Sequence, residues 1–246
     1  MQTNITKNLQ DNRNSKINYL NSLKDLFNPI SNRSGMIINT PYKHLAETKK
    51  LMMVGFNPGG VPSENMTTIR EDFKRHLDDS SFNALNEEWG KFAAGEHPIQ
   101  KLYQALIRNT ELEPKDILKT NIYWERSSGI PELKIDSIIE KICRKGFLLN
   151  IKAHKPKSIM FLSDKSRKIA EKWSDTSLPI GISRYPWGTA PIKIRLYSMK
   201  FDGHYVKAFS IPHPSQFSHG DNPDRLNAIL EAAKKCDVEL LREEHE

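Results

Sequence analysis

Apolar residues recur along this chain at two spacings, one helical and one extended, and their alternation predicts an α/β protein. Ile17, Leu20, Leu23, Leu26 and Phe27 fall on one helical face that stops before Pro29. Residues 51–54 form a short apolar run closed by Gly55, the pattern of a buried strand entering a loop. Residues 59–80 are polar and carry few structural cues. Helical spacing resumes over 82–93 and, after Pro98, over 99–109. Residues 117–124 read as a second strand, 135–151 as a helix, 158–162 as a third strand and 166–173 as a helix. Residues 192–199 and 205–211 read as strands joined through Asp202 and Gly203, a turn pair. A last helix spans 221–241, with Asn222 and Pro223 suited to its first turn.

Strands alternating with helices predict a three-layer α-β-α arrangement, with a central, mainly parallel sheet of four to five strands covered on both faces. At 246 residues the chain is long enough for one substantial core. Residues 1–45 read as an N-terminal polar segment and helix, and residues 46–246 as the α/β domain. Open sheets of this kind bind ligands beyond the carboxyl ends of their strands. Asn57 follows the first predicted strand, Asn121 lies within the second, and His213 follows the last.

Composition narrows the partners. Hydrophobic residues are 37% and charged residues 27%, the balance of a globular chain. A net charge of +7 and a pI near 9.2 favour an anionic partner, nucleic acid ahead of a membrane surface. Basic residues concentrate between Lys141 and Lys168, where they can track phosphates or simply face solvent. Two cysteines, Cys143 and Cys236, exclude a disulfide framework and a four-thiolate cluster. No window reads as a membrane span or a signal peptide, so a cytoplasmic protein is expected. His97 and His204 stand isolated, and no His, Cys or Asp spacing suggests a metal site or another cofactor.

Two segments carry candidate chemistry. Gly55-Phe56-Asn57-Pro58-Gly59-Gly60 follows a strand directly, so Gly and Pro give a sharp, stiff loop that projects the Asn57 amide. Alone it also reads as a plain strand-to-turn connection. Pro212-His213-Pro214-Ser215-Gln216-Phe217-Ser218 brackets a histidine between prolines at a strand end. Alone it also reads as a Pro-rich connection with an exposed histidine.

Together the segments resemble the uracil-DNA glycosylase superfamily. Gly-x-Asn-Pro-Gly is similar to the first motif of its mismatch-specific and single-strand-selective branches, and His-Pro-Ser-x-x-Ser to the closing motif of several branches. Thr120-Asn121-Ile122 occupies the place of a strand Asn that reads the base. The resemblance covers about residues 48–235. It implies that Asn57 positions the attacking water and that His213 donates to the base as negative charge develops there. It implies that Asn121 reads the pyrimidine edge, with Gly55, Phe56, Pro58 and Gly59 lining the same pocket. It puts Ser215 and Ser218 on DNA phosphates and Phe217 in the vacated stack as a wedge. An aromatic that stacks on the flipped base is expected among Phe73, Phe82, Trp89 and Phe92, with Phe92 preferred because it precedes Glu96-His97-Pro98 and a helix.

Two departures from the family matter. Gly59 stands where familiar uracil enzymes carry a Tyr that walls off C5 of the base, so a C5-substituted pyrimidine becomes sterically possible. The paucity of cysteines excludes the iron-sulfur cluster of the thermophile-type branches. A Lys beside the motifs that could form a Schiff base with the sugar is not expected, which points to a monofunctional enzyme. The expectation is therefore a monomeric DNA glycosylase, in base-excision repair or in defence against phage DNA carrying modified bases. The alternative is a non-catalytic reader of damaged or modified DNA. A third class, a nucleotide enzyme with a phosphate loop, lacks its Gly-x-x-x-x-Gly-Lys pattern here.

Overall fold

The computed structural model describes residues 2–60, 67–129, 131–186, 191–217 and 222–238, and for 2–12, 216 and 217 the backbone only. Its helices are α1 (Gln2–Phe27), α2 (Ile69–Asp78), α3 (Pro98–Asn109), α4 (Ser137–His154), α5 (Asp164–Trp173), α6 (Pro214–Phe217) and α7 (Pro223–Lys235). Its strands are β1 (Leu51–Gly55), β2 (Ile117–Asn121), β3 (Ser158–Phe161), β4 (Thr176–Tyr185), β5 (Ile192–Phe201) and β6 (His204–Ser210).

The strands form one mixed sheet in the order β2-β1-β3-β6-β5-β4. β2, β1, β3 and β6 are parallel neighbours, and β5 and β4 extend the sheet antiparallel. The α/β class is as expected, but there are six strands rather than four to five. The missed strand is β4. Pro179 and Gly181 interrupt its pattern, and the register shifts between them. A proline is tolerated because β4 lies at the sheet edge. Its Leu178, Ile180 and Ile182 are exposed, so the strand shows no buried-face signature.

Apolar side chains fill both faces. Met52, Val54, Leu118, Ile159 and Phe161 pack beneath α1, α4 and α5. Leu51, Met53, Ile117, Met160, Phe209 and Ile211 pack beneath α3 and α7. Tyr19, Leu23 and Phe27 of α1, with Ile37 and Ile38 after it, are buried in the first of these clusters. The Tyr19 hydroxyl donates to Asn150 Oδ1 at 2.5 Å. Residues 34–39 run along the outer edge of β2, with single bridges Gly35↔Glu125 and Ile38↔Thr120.

Two further differences from the sequence expectations lie between β1 and α3. The polar stretch contains α2, opened by a Thr68/Glu71 capping box. Its inward face includes Asp72 and His76 beside Ile69 and Phe73, so polar residues masked the helical period. Residues 82–93 are not a helix. They hold one short turn, Ala84–Asn86, and a tight pairing of Trp89 with Phe92 around Gly90, whose φ of 62° suits glycine. The last helix ends at Lys235, and residues 239–241 of its expected span lie outside the described residues. Among the described residues no helix is long and apolar enough to cross a membrane.

Candidate active site

The parallel strands end together, and the sequence motifs meet there. β1 closes at Gly55, and the chain turns through Asn57. The Asn57 amide is held by its donor side: Nδ2 donates to Ser127 Oγ at 2.8 Å, to Pro58 O at 3.1 Å and to Glu125 O at 3.3 Å. Ser127 is held in turn, since its hydroxyl donates to Gly129 O at 2.6 Å. Three acceptors on Nδ2 turn Oδ1 away from them, so the amide presents an acceptor. Ser127 escaped the sequence reading because 70 residues separate it from Asn57.

The neighbours of Asn57 differ in their fates. Pro58 is buried, and its carbonyl also accepts from Ser127 N–H. Gly59 is exposed, and a Cβ there would meet nothing within 4 Å. Among the described residues, nothing fills the space that a Gly59 side chain would take. Phe56 turns the other way: its ring packs against Tyr123 in the α1/α4 face, with centroids 5.3 Å apart. Only its backbone remains at the strand ends, because neighbouring positions on a strand alternate faces.

His213 follows β6. Its Nδ1 accepts from Ser215 N–H at 3.3 Å and lies 2.6 Å from Ser215 Oγ. An Nδ1 that accepts a backbone N–H carries no proton, so the proton of the neutral ring sits on Nε2. Burial, then the charges of Lys119 and His97, lower its pKa to about 4. His213 is therefore a neutral donor over the physiological range. Ser215, expected on phosphates, is exposed but spends its N–H on this histidine. Phe217 ends α6, with its side chain outside the described residues, and Ser218 lies outside them altogether.

Asn121 ends β2, in register with Gly55. It is 5% exposed, and its Oδ1 accepts from Lys119 Nζ at 3.1 Å. A Cβ on Gly55 would fall well inside contact distance of Asn121 Oδ1 and close to Lys119 Nζ. The glycine thus makes room for a side-chain amide laid across the strand end.

Lys119 is the main residue the sequence reading missed. It is fully buried and also donates to Thr120 O at 2.8 Å and Asn39 Oδ1 at 3.3 Å. Burial lowers its pKa to about 7. The signal was available: Lys119 is two residues before Asn121, hence on the same face of the strand. The expectation that no lysine adjoins the motifs is corrected accordingly.

His97 was read as isolated and is not. It caps α3, with Nδ1 accepting from Ile99 N–H at 3.2 Å, which again leaves the ring proton on Nε2. Burial and the Lys119 charge lower its pKa. Phe92 meets the His97 ring edge-on at 5.1 Å, and Trp89 lies against it at 4.9 Å. Phe73 packs instead with Phe27 and Tyr42, and Phe82 with Arg75 and His76. Phe92 and Trp89 are the two half-buried aromatics beside the polar cluster.

The assembled groups are an amide acceptor, two neutral imidazole donors, an amide and an ammonium, flanked by aromatic faces. This set can bind a flat, hydrogen-bonding ring and stabilise negative charge on it. Of the basic run, Arg167 is committed to Asp164 and Glu171 and is buried. Among the described residues no cluster of His, Cys, Asp and Glu could hold a metal ion. No family model matches this chain, and no curated protein matches it in sequence.

Proposed function

We propose that this chain is a DNA glycosylase of the uracil-DNA glycosylase type, hydrolysing the N-glycosidic bond of a flipped uracil or C5-modified pyrimidine. The observation that carries the reading is His213. A half-buried imidazole, neutral above pH about 4, with its Nδ1 occupied and its proton on Nε2, is built to donate to an oxygen that gains charge. The tethered Asn57 amide supports it from the end of β1, one strand beyond β3. The four parallel strands then correspond to the superfamily's core, and β5 and β4 to an extension of it.

The chemistry follows from these groups. The nucleotide leaves the stack so that its base can enter between the polar cluster and the aromatics. The bond from C1′ to the base nitrogen breaks, and its electron pair goes to the base. His213 Nε2–H donates to the base oxygen as the charge grows. Water held at Asn57 Oδ1 adds to C1′, and its surplus proton ends on the departed base. An amide orients water but cannot deprotonate it, so departure of the base precedes attack. Lys119 Nζ is engaged with Asn39, Thr120 and Asn121, and in this reading it stands behind the base and forms no bond to the sugar. The product is therefore an abasic site in an unbroken strand. The open side at Gly59 admits a C5 substituent.

Labelled oligonucleotides containing uracil, 5-hydroxymethyluracil or glucosylated 5-hydroxymethylcytosine test this directly. Alkali should cleave treated strands, and borohydride should trap no protein–DNA adduct. Absence of alkali-labile sites with every base, alongside retained tight binding, would replace the enzyme with a reader of modified DNA.

A further inference from the structure

Burying an ammonium without a counter-ion is costly, and proteins usually pair the charge or let the group lose its proton. Lys119 has only neutral partners: Asn39 Oδ1, Thr120 O and Asn121 Oδ1. The groups facing it come from every neighbouring element. They are Asn39 beside β2, Asn121 on β2, His97 ahead of α3 and His213 after β6. Among the described residues no carboxylate faces it, and desolvation alone shifts its proton affinity. A cation so placed lacks an anion, and it stands behind the residue assigned to reading the base.

We infer that Lys119, acting through Asn121, is a positioning residue that makes this pocket favour a pyrimidine ring in its anionic form. The inference rests on the glycosylase reading of the same pocket, where the base departs as an anion. Two features carry it. First, Nζ grips Asn121 Oδ1, which turns Nδ2 outward as a donor and leaves the amide one orientation. Second, the charge behind that amide polarises it toward whatever Nδ2 meets, in surroundings where charges are poorly screened. His97 and His213 add neutral donors but no charge. Lys119 holds its proton below pH about 7 and loses it above. His213, with a pKa of about 4, stays neutral throughout that range. The preference for an anion is therefore present at neutral and mildly acid pH and fades in alkali.

The test uses the full chain and two free pyrimidines in calorimetric titrations. 5-Nitrouracil has a ring that is ionised at neutral pH, and thymine has a neutral ring with a C5 group the open side also accommodates. 5-Nitrouracil should bind about tenfold tighter near pH 6.5, and the gap should all but vanish near pH 8.5, where it remains ionised. Lys119→Met should abolish the gap. Lys119→Gln keeps a donor toward Asn121 without the charge, and should also lose the gap. The pH series on the unaltered protein stands whether or not the variants fold. Equal affinity for the two pyrimidines, a gap independent of pH, or no binding of either would overturn the inference. A Lys119-dependent gap in a protein that excises no base from DNA would overturn the glycosylase reading and leave the inference standing.

Discussion

Two lysines beside the parallel strands are equally buried and differently employed. Lys49 precedes β1, and Lys119 is the middle residue of β2, with its Nζ reaching Asn121 at the carboxyl end. They are 1% and 2% exposed, and burial lowers their pKa values to about 8 and about 7. Lys49 Nζ donates to the backbone carbonyls of His44 at 2.5 Å and Lys115 at 2.6 Å, with Glu47 at 4.0 Å. Backbone acceptors and a counter-ion complete it, so it ties loops together and asks for nothing more. Lys119 instead grips two side-chain amides and one carbonyl. An amide whose oxygen is held still offers its nitrogen elsewhere, so Lys119 acts beyond its own contacts. Two histidines with lowered pKa values divide the same way. His154 stacks edge-on with Tyr19 near Lys49 and is pushed down to about 3, deep in the core. His213 is equally neutral but stands at the strand ends with Nε2–H available. Burial alone therefore does not mark a functional group, and neither does an unfilled polar atom, since His154 Nε2 is unpartnered deep in the core; an available polar atom at the strand ends does.

This contrast predicts that changes at the carboxyl ends cost activity, and that changes at the opposite end cost stability. The largest effect is expected of His213→Ala, which should slow single-turnover excision by about 10²–10³-fold and leave the melting temperature unaltered. A melting temperature that falls in parallel would return His213 to a structural role. Gly55→Ala forces a Cβ into the Asn121 amide. Excision should drop by roughly ten- to a hundredfold as the base contact is lost, with about 1–3 kcal/mol of stability lost in urea unfolding. Lys49→Met is the reverse case. It strands two buried carbonyls, so stability should fall by about 1–3 kcal/mol while the excision rate per folded molecule holds. Loss of rate there would break the division between the two ends. The smallest effect belongs to Ser127→Ala, which removes one of three anchors of Asn57. It is worth about 1 kcal/mol, or roughly fivefold in single-turnover rate with affinity for DNA unaltered.

Legibility varied by element for physical reasons. β1 and β3 were plain because each is a short, largely apolar run buried on both faces; β2 is apolar only at Ile117 and Leu118 and was marked by the apolar residues 122–124 that follow it. β4 was hidden because it is exposed and broken by Pro179 and Gly181. α2 was hidden by the buried Asp72 and His76 on its inner face. At the site, Asn57, Asn121 and His213 were recognisable because each sits in or beside a strand end with a motif around it. His97 and Lys119 were not, since a capping histidine and a strand lysine are ordinary features until their neighbours are known. Phe56 shows the converse: membership of a motif did not put its ring in the pocket, because strand alternation sends it to the other face.

The sequence by itself determined the α/β class, the order of most elements and the three polar residues delivered to the strand ends. Those follow from local periodicity and from stiff Gly and Pro loops, which act over a few residues. Only the tertiary structure decided the roles of the polar atoms. Whether Asn57 offers its oxygen, Asn121 its nitrogen or His213 its Nε2–H depends on what holds the opposite side of each group. For Asn57 that is Ser127, for Asn121 it is Lys119, and for His213 it is Ser215 with the charges of Lys119 and His97. Most of these partners are distant in sequence, and packing alone brings them within a hydrogen bond or a short Coulombic reach.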